Sequence, residues 1–119
     1  MIKSNDIDKS NVAKAILRKV RVSPQKLNLV AAMIRGVNVN KAMGVLIHSR
    51  KRIANDVYKT LKSAVSNAEQ KNLDSGSLYV REAYVGYSIK LRRFHARGRG
   101  RGSTITKPFS HLTIVVSQQ

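Results

Sequence analysis

Apolar and polar positions alternate from residue 13 to residue 22, AKAILRKVRV, with Lys and Arg set between β-branched and aliphatic residues. A half-buried strand with one charged face has this period of two. The pattern changes at Ser23-Pro24, where Ser23 is suited to cap a helix and Pro24 to occupy its first position. In SPQKLNLVAAMIRG, Leu27, Val30, Ala31 and Ile34 fall at i, i+3, i+4 and i+7, which predicts a helix stopped by Gly36. VNVNKAMGVLIHS predicts a shorter helix with Ala42, Val45 and Leu46 on one side and Asn40 as its cap. A third, longer helix is expected from about Arg50 to Lys71. Ile53, Val57, Leu61, Ala64 and Ala68 form its apolar stripe, and Arg52, Lys59, Lys62 and Ser66 lie opposite. The small alanines on that stripe would let another element approach closely.

From Ser77 the texture becomes β-like. SLYVREAYVGYSIKL is rich in β-branched and aromatic residues, and in TKPFSHLTIVVS the residues Leu112, Ile114 and Val116 alternate with polar or exposed positions. Between these runs lies LRRFHARGRGRGST, residues 91 to 104, with five arginines, three glycines and no acid. The outline is a long β-hairpin whose centre has almost nothing apolar to bury. Tyr79, Tyr84 and Tyr87 are expected mainly in the core, while Phe94 inside the arginine run is suited to stack on a base.

Length and charge change the picture in one respect. A chain of 119 residues forms one domain with a modest core, and its 42% hydrophobic content is that of a folded globule. However, 23 Lys and Arg stand against 6 Asp and Glu, a formal net charge of +17. Such an excess repels itself and lowers the stability of the compact state unless a polyanion offsets it. Nucleic acid is the leading candidate and an anionic membrane the second. From Tyr84 onward there are seven Lys and Arg and no Asp or Glu. Arg offers a planar fork that matches phosphate oxygens, and the interspersed glycines let the backbone approach a crowded surface.

Candidate chemistry is sparse. GRGRGST lacks the Lys and the strand-to-helix context of a phosphate-binding loop. His48, His95 and His111 have no metal-ligand spacing, and Asp56, Glu69, Asp74 and Glu82 make no paired-carboxylate pattern. There is no Cys and no apolar run long enough to span a membrane. The polar, nearly charge-balanced start predicts a cytoplasmic chain whose residues 1–12 are a flexible extension. No enzyme, metal or cofactor is expected. On composition alone two nucleic-acid readings remain, an RNA-binding protein and an architectural DNA-binding protein with a basic β-ribbon arm.

Three segments carry a resemblance. SPQKLNLVAAMIRG resembles the first-helix signature of large-subunit ribosomal protein twenty-two, S-x-x-K followed by Val and then Ile-Arg-Gly. SAVSNAE, residues 63 to 69, resembles that family's S-A-x-x-N-A-E, and SHLTIVVS, residues 110 to 117, its S-H-[IL]-T-[IV]-V-V. The resemblance covers nearly everything from Ala13 onward. It implies an α+β fold, with three helices packed on a three-stranded antiparallel sheet and a long hairpin extending from about 84 to 108. It also implies that the hairpin passes through large-subunit rRNA to line the nascent-chain exit tunnel near its constriction, where macrolides act. Partners would be rRNA from several domains, neighbouring large-subunit proteins and the nascent polypeptide, with this chain present as a monomer and no membrane involved.

The expected rRNA contacts are Arg18, Lys19 and Arg21 on the first strand, and Ser23, Gln25, Lys26 and Arg35 on the first helix. They continue through Lys90, Arg92, Arg93, Arg97, Arg99, Arg101 and Lys107 on the hairpin to His111 on the last strand. By resemblance, Leu91, Arg92 and Arg93 border the tunnel constriction, and Arg97, Arg99, Gly100 and Arg101 form the tip. The family tip carries Pro where this chain has Ala96, and alanines where it has Gly98 and Gly102. That departure implies a tip more flexible in the unbound protein, ordered once RNA surrounds it.

Overall fold

The computed structural model describes residues 11–97 and 101–118, with side chains described throughout except at residues 19, 87–97 and 101–108. Most of the expected N-terminal extension, residues 1–10, and part of the hairpin tip, Gly98, Arg99 and Gly100, therefore lie outside the described residues. The elements follow the order β1 (Val12–Val20), α1 (Pro24–Ile34), α2 (Val39–His48), α3 (Ala54–Gln70), a 3-10 turn (Ser75–Ser77), β2 (Leu78–Arg97) and β3 (Arg101–Gln118). The sheet is antiparallel with β3 in the centre, in the order β1-β3-β2. Three helices and a three-stranded antiparallel sheet make the α+β architecture that the sequence predicts.

Local chemistry places each boundary. Ser23 has extended backbone angles and its Oγ accepts the Lys26 amide at 3.4 Å, with Pro24 opening α1. Gly36 adopts a left-handed φ of 73°, which turns the chain onto the edge of β2. There the Gly36 amide donates to the Val80 carbonyl at 2.8 Å and the Val80 amide donates to the Val37 carbonyl at 2.9 Å. The α1–α2 linker thus covers a sheet edge that would otherwise invite pairing with another chain.

The cap of α2 is Asn38 rather than Asn40. The Asn38 Oδ1 accepts the Asn40 amide at 2.9 Å, so Asn40 already lies inside the first turn. Helix α3 begins at Ala54, four residues later than the expected start at about Arg50. Residues 50 to 53 are used in turning away from α2, and the Ser49 Oγ accepts the Lys51 amide at 3.3 Å in that turn.

The core joins the inner faces of the three helices and the three strands. Leu27, Val30 and Ile34 of α1, Leu46 of α2, Val57 and Leu61 of α3, Leu78 and Val80 of β2, and Leu112, Ile114 and Val116 of β3 are fully or almost fully buried. Ala13 of β1 joins the same cluster. Ala54, Ala64 and Ala68 on α3 are equally buried, as their spacing predicts. Two side chains then tie α3 to the outer edge of β1. The Asn67 amide donates to the Lys14 carbonyl and the Lys71 ammonium to the Val12 carbonyl, each at 2.9 Å.

Given the charge of +17, raising salt from about 0.01 M to about 0.15 M, which shortens the screening length from roughly 30 Å to roughly 8 Å, should stabilise the protein. Each kcal/mol of repulsion relieved is expected to raise the thermal midpoint by roughly 4–8 °C. Calorimetry over a salt series checks this, and a midpoint that falls with sodium chloride would contradict it.

Candidate nucleic-acid interface

Where β1 stops, the sheet loses its third strand. Pairing of β1 with β3 ends at Val20↔Ser110, after an irregularity between Leu17 and Val20. Pairing of β2 with β3 has its own irregularity between Tyr87 and Lys90, then continues through Lys90↔Pro108 to Arg97↔Arg101. From Lys90 onward the ladder is two-stranded, eight consecutive residues of β2 facing β3, or about 25 Å of strand at roughly 3.3 Å per residue. An isolated two-stranded ribbon is marginal in water. This one carries Lys90, Arg92, Arg93, Arg97, Arg101 and Lys107 in its backbone. Their side chains and that of Leu91 lie outside the described residues, as do Arg99 and Gly100.

The other expected contacts gather near the same transition. Arg18 and Lys19 fall within the β1 irregularity, which is where a bulge re-aims side chains. The Lys19 side chain lies outside the described residues, whereas Arg18 and Arg21 are exposed. The Ser110 hydroxyl donates to the Val22 carbonyl at 2.6 Å and anchors the exit of β1 onto β3. The next residue, Ser23, is half-buried as the cap, and Gln25 and Lys26 are exposed in the first turn of α1. That turn contains no acid. A cation next to the positive end of a helix dipole is unfavourable by itself, and a bound phosphate reverses the balance.

Arg35 has work within the protein as well. Its Nε donates to the Ala83 carbonyl at 2.7 Å and its Nη2 donates to the Asn28 Oδ1, which locks α1 against β2. Its remaining exposed edge is what could meet a phosphate.

His111 faces Gly86 across the β3–β2 ladder. A methyl group built on Gly86 would lie 2.6 Å from the imidazole Nε2 and 2.8 Å from Cε1, so the ring occupies the space that glycine leaves. Gly86→Ala should therefore displace the His111 ring while costing less than about 1.5 kcal/mol, since a side chain rather than backbone has to move. The imidazole resonances in NMR and a urea titration check the two halves. A loss above about 3 kcal/mol would mean that the ring cannot yield.

On the outer face of the sheet, Lys14, Ile16 and Arg18 are exposed, as the alternation in β1 predicts. Tyr84 does not join the core. It is 51% exposed because the irregularity between Val80 and Glu82 shifts the alternation of β2 by one residue and turns Ala83 inward in its place.

Residues 15–117 match the model of the family described as Ribosomal protein L22p/L17e. The chain belongs to that family. Curated relatives called large ribosomal subunit protein uL22 include that of Brucella suis biovar 1 (strain 1330), 64% identical over 111 residues, covering 92% of this chain and 86% of the relative. The protein of the same name from Bartonella henselae (strain ATCC 49882) is also 64% identical over the same shares of the two chains. That of Sinorhizobium medicae (strain WSM419) is 61% identical. These relatives are ribosomal proteins and not enzymes. Within the L22p/L17e framework the segment SAVSNAE acquires a physical meaning, since Ala64 and Ala68 are the buried small residues of α3 and Asn67 is its tie to β1.

Proposed function

We propose that this chain is a structural component of the large ribosomal subunit that binds its rRNA and aids assembly, working in the cytoplasm as part of the ribosome. One observation carries the reading. The most arginine-rich stretch of the chain lies on a ribbon that has lost its third strand, and seven cations from Lys90 onward have no acid in the same stretch. RNA phosphates supply the missing charge, and each contact releases condensed counterions. Most such contacts fix position, while unpaired nucleotides and RNA shape supply specificity.

The resemblance at Leu91, Arg92 and Arg93 supports a finer reading, in which the globular part lies on the subunit surface and the hairpin lines the nascent-chain exit tunnel. Sedimentation of tagged protein from cell lysate through a sucrose gradient in about 0.5 M salt tests the first part, because loosely held polycations are largely released there. Retention in the large-subunit peak is expected. Complete loss to the top of the gradient would return the DNA-arm reading to first place. For the second part, deleting Arg97 to Arg101 should alter macrolide sensitivity or nascent-chain stalling more than subunit assembly. An assembly block with an unchanged drug response would count against it.

A further inference from the structure

Shortly before β2 enters the ribbon, a side chain from α1 takes hold of it. β2 is an edge strand, and its outer edge is covered in two steps. Ahead of the irregularity between Val80 and Glu82 the cover is backbone, through the Gly36 and Val37 bonds to Val80 and the bridge between Asn38 and Tyr79. Past the irregularity, the Arg35 Nε bond to the Ala83 carbonyl, at 2.7 Å, carries the hold onward. A bulge bends its strand and increases the local twist, so the course of β2 beyond it has to be fixed afresh.

The geometry of Arg35 suits that task. It is the C-cap of α1, where a cation meets the negative end of the helix dipole. Its side chain also reaches back along the helix, so that Nη2 donates to the Asn28 Oδ1. The guanidinium is therefore held from both sides, by α1 through Asn28 and by β2 through Ala83. Its planar fork sets the two donors in fixed directions, which an ammonium on a flexible stem does not. The helix behind it is anchored, since Leu27, Val30, Ala31 and Ile34 are fully buried. On the neighbouring strand, the Ser110 hydroxyl bonds the Val22 carbonyl at 2.6 Å, and the His111 ring fills the space over Gly86. The base of the ribbon is thus held on the β3 side by the end of β1 and on the β2 side by α1.

We propose that Arg35 is a positioning residue which, together with Asn28, fixes the direction in which the ribbon leaves the folded body. Its effect on stability is small, because Arg35 is exposed and water can take the place of its donors. The use of a fixed direction rests on the reading of the ribbon as an rRNA arm. An arm already held at its working angle loses less freedom on entering RNA than one that swings.

The test is a distance measurement on the full-length protein without RNA. The chain has no cysteine, so Lys59→Cys on α3 and Thr106→Cys on the ribbon provide one pair of nitroxide sites for double electron–electron resonance. Thr106 faces Arg92, two pairs beyond Lys90↔Pro108. The eight residues from Ile114 to Thr106 make a lever of about 26 Å at roughly 3.3 Å per residue. A swing of about 20°, comparable to the rotation between neighbouring strands, moves the label by about 9 Å. Arg35→Gln should shift or broaden the distance distribution on that scale, while the thermal midpoint stays close to that of the labelled parent. Asn28→Ala frees one side of the fork only and should act in the same sense but less. It keeps the Ala83 bond, so it preserves the test if Arg35→Gln fails to fold. Distributions that match the parent in both variants would overturn the proposal, whatever the midpoint does, and would leave the rRNA reading intact. Failure of the wild type to bind rRNA would remove the use of the angle, and the distances would still decide the role of Arg35.

Discussion

Converting Arg92, Arg93, Arg97, Arg99 and Arg101 together to glutamine should weaken binding to large-subunit rRNA about a thousandfold at 0.15 M salt. The estimate follows from five lost phosphate contacts at about 0.7 in log–log slope each, referred to 1 M salt where counterion release contributes little. The slope itself should become shallower by about 3.5. Both numbers come from one titration, and circular dichroism on each variant checks that the fold is retained. An affinity within threefold of the wild type would mean that these arginines face solvent and that binding resides elsewhere. Arg→Lys at the same five positions separates charge from shape. The slope should hardly change, because the charges are kept, while affinity should fall by whatever the planar guanidinium fork contributes.

The largest effect on stability is expected at Ile114. It is fully buried on the central strand, and its neighbours across the ladder are Ala15 on one side and Ala83 on the other. Helix α3 adds Ala64 and Ala68 to the same core. Small residues on both flanking strands leave the isoleucine as the main filler of its row, so nothing large stands ready to collapse into the space that truncation would open. Ile114→Ala should therefore cost about 4 kcal/mol, towards the upper part of the range for such changes, and Ile114→Val about 1 kcal/mol. Against a total stability of roughly 5–15 kcal/mol, reduced further by the charge excess, the alanine variant should be close to unfolding at low salt. Urea unfolding measures both, and the midpoint should drop without a change in m. A loss under about 1.5 kcal/mol for the alanine variant would show that the row repacks.

Much of this architecture could be read from local chemistry. Ser23, Pro24 and Gly36 delimit α1 because each satisfies a backbone requirement that few residue types meet, and the structure uses all three in that way. Leu112, Ile114 and Val116 announce β3 by period alone. What escaped the sequence depends on tertiary placement. Asn38 and Asn40 are equally competent caps as residues, and only the path of the chain over Val80 selects Asn38. The inward turn of Ala83 and the exposure of Tyr84 follow from a bulge that has no residue signature in β2. Arg35 looks like any other basic residue until Ala83 is brought beside it.

The position of β3 bears on how the protein is made. The two earlier strands pair with β3 and form no ladder with each other. While the chain is being synthesised, β1 and β2 therefore wait without hydrogen-bonded neighbours until the last strand is delivered. The sheet can close only across a sequence separation of about a hundred residues, a topology that favours slow and all-or-none folding. A ribosome stalled short of β3 would release a highly basic fragment able to cling to RNA but unable to take its shape. Incomplete copies should thus be removed by proteolysis or diluted as loose polycations, because the rigid body that would compete for a place in a growing subunit does not yet exist.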